Sequence, residues 1–393
     1  MRTVSRLKYS ILLALAFMVL FVLLAPNVHA QNRLNEPHKT RIDMAEDSYL
    51  GQSPFQGDWK LAIGAQSFEE STDDEKTASV ELNLRPSYRL LDNLKLNADM
   101  RIKSESGRVQ TRFYQGSEDL LRLSNASIEY YPVSFVLLEG GIINQSYLEQ
   151  ELLFAKSRAF AGVKEAIIWG RPMFKASLIF QQSLPSSTSL NTERTEKEAT
   201  PSFQAQTLQA EFDAGKLKGI VGGSLYQYQN LPSKVAFESY KNGNIVEGSD
   251  VADSSFANEF NGYALNARFD WEVFHQFSLL GTLQLMENTK APEGSKRGQM
   301  AWVGPVIQIN KIKTSLSYGQ YFAEYDVAPA YYMNLAYGGT NRVGQFGRFE
   351  IEFTNLNFKL LAQYVDADTI NSRVHQFTRT NYLVRLETLY VSF

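Results

Sequence analysis

From Ala78 to Lys103 the chain alternates apolar and polar residues with almost no break. Ala78, Val80, Leu82, Leu84, Pro86 and Tyr88 share one parity, and Ser79, Glu81, Asn83, Arg85 and Ser87 the other. After Leu91-Asp92-Asn93 the pattern resumes, with Leu94, Leu96, Ala98, Met100 and Ile102 set against Lys95, Asn97, Asp99, Arg101 and Lys103. Side chains of a strand point to opposite faces with period two, so this stretch predicts an antiparallel hairpin with one apolar and one charged face. Each arm holds about ten alternating residues, which at ~3.3 Å per residue and a tilt near ~40° spans the ~25 Å apolar band of an outer membrane. Strands of soluble proteins usually run to about five or six residues. The hairpin reads as part of an all-β, transmembrane, up-and-down antiparallel barrel, with its apolar parity on lipid and its charged parity on a wet lumen.

The same reading continues along the chain. Sixteen strands, give or take two, are predicted to begin near Trp59, Ala78, Leu94, Leu120, Phe135, Ala161, Met173, Phe203, Leu217, Asn261, Phe277, Gln299, Ile312, Phe346, Phe358 and Tyr382. Those near Leu120, Ala161, Leu217 and Gln299 alternate poorly, and Pro305 falls inside the last of them. The connections alternate between tight turns, such as Asp92-Asn93, Ala214-Gly215 and Asn310-Lys311, and long segments, such as 145–157, 183–201, 229–259 and 324–343. Short periplasmic turns and longer outer loops are the outer-membrane barrel pattern, and an even strand count leaves both termini periplasmic. Within 229–259, Lys241-Asn242-Gly243-Asn244 is an Asn-Gly hairpin signal and predicts a short extracellular hairpin.

Aromatic residues track the tight turns: Tyr88, Tyr130, Phe135, Trp169, Phe174, Phe212, Trp271, Phe277, Phe353 and Phe358, with Trp59 at the entry. Amphipathic rings gather at a membrane interface, which predicts a periplasmic girdle. Arg2, Arg6 and Lys8, the apolar run Ile11–Leu24 and the small-residue site Val28-His29-Ala30 predict a secretory signal peptide over residues 1–30. A polar periplasmic segment is expected over 31–56 and the barrel over 57–393. Loss of the signal removes those three cations and no acid, moving the formal charge from −3 to −6, a balance opposed to nucleic-acid binding. The absence of cysteine excludes disulfides and thiolate metal sites. No metal or other cofactor is expected.

The chain ends Leu389-Tyr390-Val391-Ser392-Phe393. Here it resembles bacterial outer-membrane barrel proteins, whose last strand ends in an aromatic preceded by alternating hydrophobics. That resemblance implies that the barrel-assembly machinery reads Phe393. Continuing the parity meets Glu387 and Arg385, so either a bulge near Thr388 shifts the phase or the motif is imperfect. With sixteen strands, long outer loops and a signal peptide the chain is similar to the porin families. The resemblance implies location in the outer membrane, in contact with its lipid, passive passage of small hydrophilic solutes, no enzymatic activity, and the homotrimers common in those families.

A channel needs only a hydrated bore lined by suitable charges. Parity places Arg85, Lys95, Asp99, Arg101, Lys103, Arg268, Asp270, Arg348, Glu350 and Glu352 on the lumen, with Lys60, Glu81, Lys175 and Lys313. Arg85, Lys95, Arg101 and Lys103 are expected close together, with Glu350 and Glu352 across the bore. This charge pattern reads either as a generic wet wall or as a transverse field. In the third long loop, Leu148, Leu152 and Ala155 fall at helical spacing, leaving Glu149, Glu151, Lys156 and Arg158 to line a constriction. Two rival classes remain open. A plugged barrel would bind through outer loops such as the one carrying Tyr325, Tyr331, Tyr332 and Tyr337; a barrel hydrolase would need His375 near Asp366, Asp368 and Ser372.

Overall fold

The computed structural model describes residues 54–71, 74–110, 120–152, 155, 158–171, 173–185, 198–373 and 376–393. The expected signal peptide and nearly all of the lead-in lie outside them. Among the described residues the wall strands are β1 (Phe55–Glu70), β2 (Asp74–Leu91), β3 (Leu94–Gln110), β4 (Leu120–Val133), β5 (Val136–Asn144), β6 (Ala159–Arg171), β7 (Phe174–Leu184) and β8 (Ser202–Asp213). They continue as β9 (Leu217–Gln229), β10 (Phe260–Phe274), β11 (Phe277–Asn288), β12 (Arg297–Ile309), β13 (Ile312–Ala323), β14 (Arg342–Phe353), β15 (Phe358–Thr369) and β16 (Arg379–Thr388), the last extended by Val391–Ser392. Each pairs antiparallel with its sequence neighbours, and β1 pairs with both β2 and β16, closing a sixteen-stranded barrel. Closure leaves every wall strand paired on both sides, which a sheet in lipid requires.

All sixteen strands begin within four residues of the expected positions. Their outward parity carries large exposed apolar side chains, among them Val80, Leu121, Leu208, Leu225, Val303 and Leu316. The tight-turn end carries the aromatic ring of residues, including exposed Trp169 and Trp271 and the packed pair Phe353 and Phe358 at 4.8 Å. The first long connection shrinks to residues 71–73, because β1 and β2 pair as far as Glu69 with Asp74. The alternation from Phe68 to Ala78 is polar, which the ladder tolerates beyond the apolar band.

Two irregularities re-aim side chains. Near the C-terminus the register against β1 shifts by one residue between Ala62↔Glu387 and Trp59↔Val391. This is the bulge that reconciles inward Arg385 and Glu387 with the terminal motif. Phe393 then closes on Gly57, exchanging backbone hydrogen bonds with it, and its ring covers the glycine so closely that a Cβ there would lie 2.3 Å from Cζ. In β4 the register against β3 shifts between Asp99↔Asn125 and Met100↔Leu123, leaving Ser124 as an extra residue. The poor alternation of this strand follows from that insertion: Ser124 and Asn125 are both buried, while Leu121 and Leu123 face out and Arg122 faces in.

The connection between β9 and β10 departs from expectation. Ser233–Lys241 forms the helix α1, with Asn242 at its C-cap, and the Asn-Gly pair ends this helix instead of turning a hairpin. Val235, Ala236 and Ser239 are buried one turn apart, so burial against the loops beside it selects the helical period. The two-stranded pairing in this loop is formed later, by Val246–Glu247 with Ser255–Phe256.

Candidate pore lining

Alternation puts a charge on the inner face of β1, β2, β3, β14, β15 and β16 near the tight-turn end, and the register brings these charges into one ladder. Lys359 lies 3.3 Å from Glu350 and 3.1 Å from Glu387. Glu387 also meets Lys60 at 3.2 Å and Arg385 at 3.0 Å. Arg385 reaches Glu81 at 2.8 Å, and Glu81 in turn pairs with Arg101 and accepts from Asn83. Beside this run, Arg85 pairs with Asp99 at 3.2 Å and lies over the Tyr390 ring, which the C-terminal bulge brings beneath it. Each acid in the run is shared between bases, so the long side chains are held along the wall rather than projecting into the bore. Glu350 is therefore joined to the arginines through adjacent strands and does not stand opposite them.

The other expected lining residues are spread around the barrel. Lys103 pairs with Glu105, and Lys95 lies directly across the ladder from Glu129. Glu352 is buried between the register positions of Lys313 and Lys359. Arg268 meets Glu149 of the third long loop at 2.9 Å, and Asp270 follows on the same face of β10. Arg348 lies within electrostatic range of Tyr337 and Glu151. Lys164 and Glu139, absent from the expected set, form a further inner pair, with Ser127 donating to Glu139 at 2.7 Å.

At the long-loop end the bore is occupied. The third long loop, residues 145–158, starts as a 3-10 turn over Gln145–Leu148 and leaves it at Glu149, whose φ is 52°. The expected helix is interrupted there, because a left-handed residue cannot continue a right-handed turn. Leu148 and Leu152 are nonetheless both buried. The loop runs inward across the barrel: Tyr147 donates to Gln181 of β7, Glu149 reaches β10, and the Leu152 N–H donates to Gln284 of β11. Glu151 accepts from the Tyr337 hydroxyl, and Arg158 donates to the Tyr331 carbonyl at 2.6 Å. Glu149 and Glu151 thus face the β10 and β14 walls, while Arg158 lies at the edge of the loop. Lys156 lies outside the described residues, as does His375.

The loop packs on the seventh long loop, residues 324–341, and on α1. Together they bury Leu148, Leu152, Val235, Val327, Tyr332 and Tyr337 against inner-face residues of β6 and β8–β15, such as Phe203, Tyr228 and Phe346. The Tyr332 ring stacks on Tyr228 at 5.7 Å and meets Phe160 edge-on at 5.2 Å. Burial pushes the Tyr332 and Tyr337 hydroxyls up, so both remain neutral. Asn244, fully buried, donates to the carbonyls of Tyr325 and Ala328 and to Asp326, and accepts from the Ala330 N–H. Asp326 also accepts from the Ile245 N–H and from Asn258, and burial raises its carboxyl above the usual range.

No family model matches the chain, and no curated protein matches it in sequence. Solved structures do match. OprB of Pseudomonas putida at high pH superposes with a TM-score of 0.54 at 10% identity, over 86% of this chain and 94% of that one. OmpT of Vibrio cholerae lacking loop L8 gives 0.50 at 8% identity, over 87% and 100%. OmpF of Salmonella typhi in complex with daunomycin gives 0.50 at 10%, over 86% and 97%. The chain has the fold of the sixteen-stranded outer-membrane porins.

In this porin-fold barrel the residues that sequence reasoning missed are those of the loop assembly. A signal for them was present. Phe203, Tyr226, Tyr228, Phe260, Tyr321 and Phe346 share the inner parity of their strands with Thr207, Ser224, Asn266, Ser317 and Glu350. Aromatics on a wet face need a cover, and three loops supply it. Among the described residues of the porin fold no group of three or more His, Asp or Glu side chains is placed to hold a metal ion. Asp368 accepts from Thr378 at 2.7 Å on the outer face of β15.

Proposed function

We propose that the protein is an outer-membrane channel through which small hydrophilic solutes or ions diffuse passively. The observation that carries this reading is the charged ladder around the inner wall from β14 through β1 to β3, inside a closed barrel whose outer face is apolar. Ion pairs of this kind are stable on a wall that water wets, and a barrel built only to be filled has no use for them. The passage lies between this wall and the loop assembly, which is anchored on the other side at β7, β10 and β11. Arg85, Asp99, Arg101 and Lys103 line it on the wall side, and Arg158 faces it from the loop. Arg268, Arg348 and Glu149 serve instead to fix the loop.

Purified, refolded protein in a planar bilayer tests the reading. Stepwise conductance on the order of a nanosiemens is the expected result for an aqueous bore. The apolar core formed inside the barrel by the third, fifth and seventh long loops favours a second reading, a plugged barrel that binds partners through its outer loops. Electrical silence from protein shown to be folded by circular dichroism selects that second reading.

A further inference from the structure

The bulge in β4 has a specific product. On either side of Ser124 the strand keeps regular pairing with β3, but the extra residue exchanges the two faces. From Asn125 to Glu129 the odd residues point inward; beyond Ser124 the even residue Arg122 takes that direction and Leu121 and Leu123 face out. Without the extra residue, leucines would face the lumen and a guanidinium would face lipid, at a cost of roughly 2–4 kcal/mol near the midplane. The bulge also sets Arg122 directly across the ladder from Arg101.

A third guanidinium approaches from the loop side. Arg158 ends the third long loop, donates to the Tyr331 carbonyl and lies over the Tyr331 ring at 5.0 Å. Arg101, Arg158 and the Tyr331 hydroxyl are all within electrostatic range of Arg122. Arg101 is tethered from behind by Glu81, which Arg385 also holds. The three cations stand on two separate bodies, the wall and the loop assembly, on facing sides of the passage proposed above. All three are partly exposed.

We infer that the β4 bulge at Ser124 completes an anion subsite, formed by Arg101, Arg122 and Arg158, at the narrowest level of the passage. Guanidinium groups bind planar or tetrahedral oxyanions by paired N–H donors, so the solutes favoured are small carboxylates and phosphates. Arg122 is the specificity-determining member, because its direction depends on one inserted backbone residue. This inference rests on the channel reading.

The test is reversal potential in a planar bilayer under a gradient of potassium chloride, then of potassium phosphate, for the unaltered protein, Arg122→Gln and Arg122→Lys. The expected result is anion preference in the unaltered protein. In Arg122→Gln the anion-to-cation permeability ratio falls about three-fold, the size expected for one charge removed within ~5 Å of an ion's path in water. Arg122→Lys keeps the chloride ratio but loses part of the phosphate preference, since it cannot offer paired donors. Conductance with the same ratio in all three proteins overturns the subsite and leaves the channel standing. Silence of the folded unaltered protein overturns both.

Discussion

The inner face of the barrel is two surfaces. Near the tight turns it carries the ladder of Glu350, Lys359, Glu387, Arg385, Glu81 and Arg101. Toward the long loops, the same parity of β8–β15 carries Phe203, Tyr228, Phe260, Met286, Met300, Tyr321 and Phe346, sealed by the loops. The crossover occurs within single strands: β8 runs inward from Phe203 and Ala205 to Thr207 and Gln209, and β10 from Phe260 and Ala264 to Asn266 and Arg268. Strand parity decides only which way a side chain points. Whether that direction is wet depends on what else enters the bore.

Breaking the apolar surface has the largest expected effect. Tyr332→Ala removes a ring that is 1% exposed and packed against Phe160 and Tyr228, so the loop assembly should lose about 3–5 kcal/mol. The outward apolar wall is untouched, and the barrel should persist by circular dichroism while the loops become protease-sensitive and conductance rises. Asn244→Ala strikes the same region through polar groups. It leaves the Tyr325 and Ala328 carbonyls, Asp326 and the Ala330 N–H each short of a partner, and a loss of about 2–4 kcal/mol is expected. Its readout is faster proteolysis between residues 230 and 259 than in the parent, with no change in wall strand content; an unchanged cleavage rate would remove Asn244 as the latch.

The charged surface should respond in selectivity more than in stability. Glu81→Gln leaves Arg101 and Arg385 without their shared acid, and the passage should shift toward anions by about two- to five-fold in permeability ratio. A reversal potential equal to the parent's would mean that the ladder does not border the ion path. The smallest effect expected is that of pH on the loops. Burial holds the Asp326 carboxyl above its ordinary value, so the docked state takes up a proton that the released loop does not. Docking therefore strengthens as pH falls from neutral toward the ordinary carboxylate value near 4 and weakens as pH rises through the raised one. Loop proteolysis by an acid-tolerant protease, corrected for its own pH profile, should slow over that interval, and Asp326→Asn should abolish the trend.

Most of the wall was legible in the sequence because a membrane strand is a local object. Hairpins such as β2–β3 announce themselves by alternation, turn residues and length, and neither lipid nor lumen changes along the arm. The turns Asp92-Asn93 and Asn310-Lys311, the aromatic ring and the terminal bulge near Thr388 were all readable for that reason. The third long loop was half legible: Leu148 and Leu152 are buried as their spacing suggests, but Glu149 breaks the helix. Glu149 and Glu151 were expected at a constriction and instead tie the loop to Arg268 and Tyr337.

The sequence by itself determined the alternation, the number of wall strands and the division into turns and loops, since period-two sterics and the thickness of an apolar band act residue by residue. Only the tertiary structure decided that three loops enter the bore and that Ser233–Lys241 is a helix, because both depend on apolar surface offered by strands far away in the chain. It alone decided the direction of Arg122 as well. One extra residue in β4 inverts everything beyond it on that strand, and the ladder with β3 is what fixes where that residue is placed.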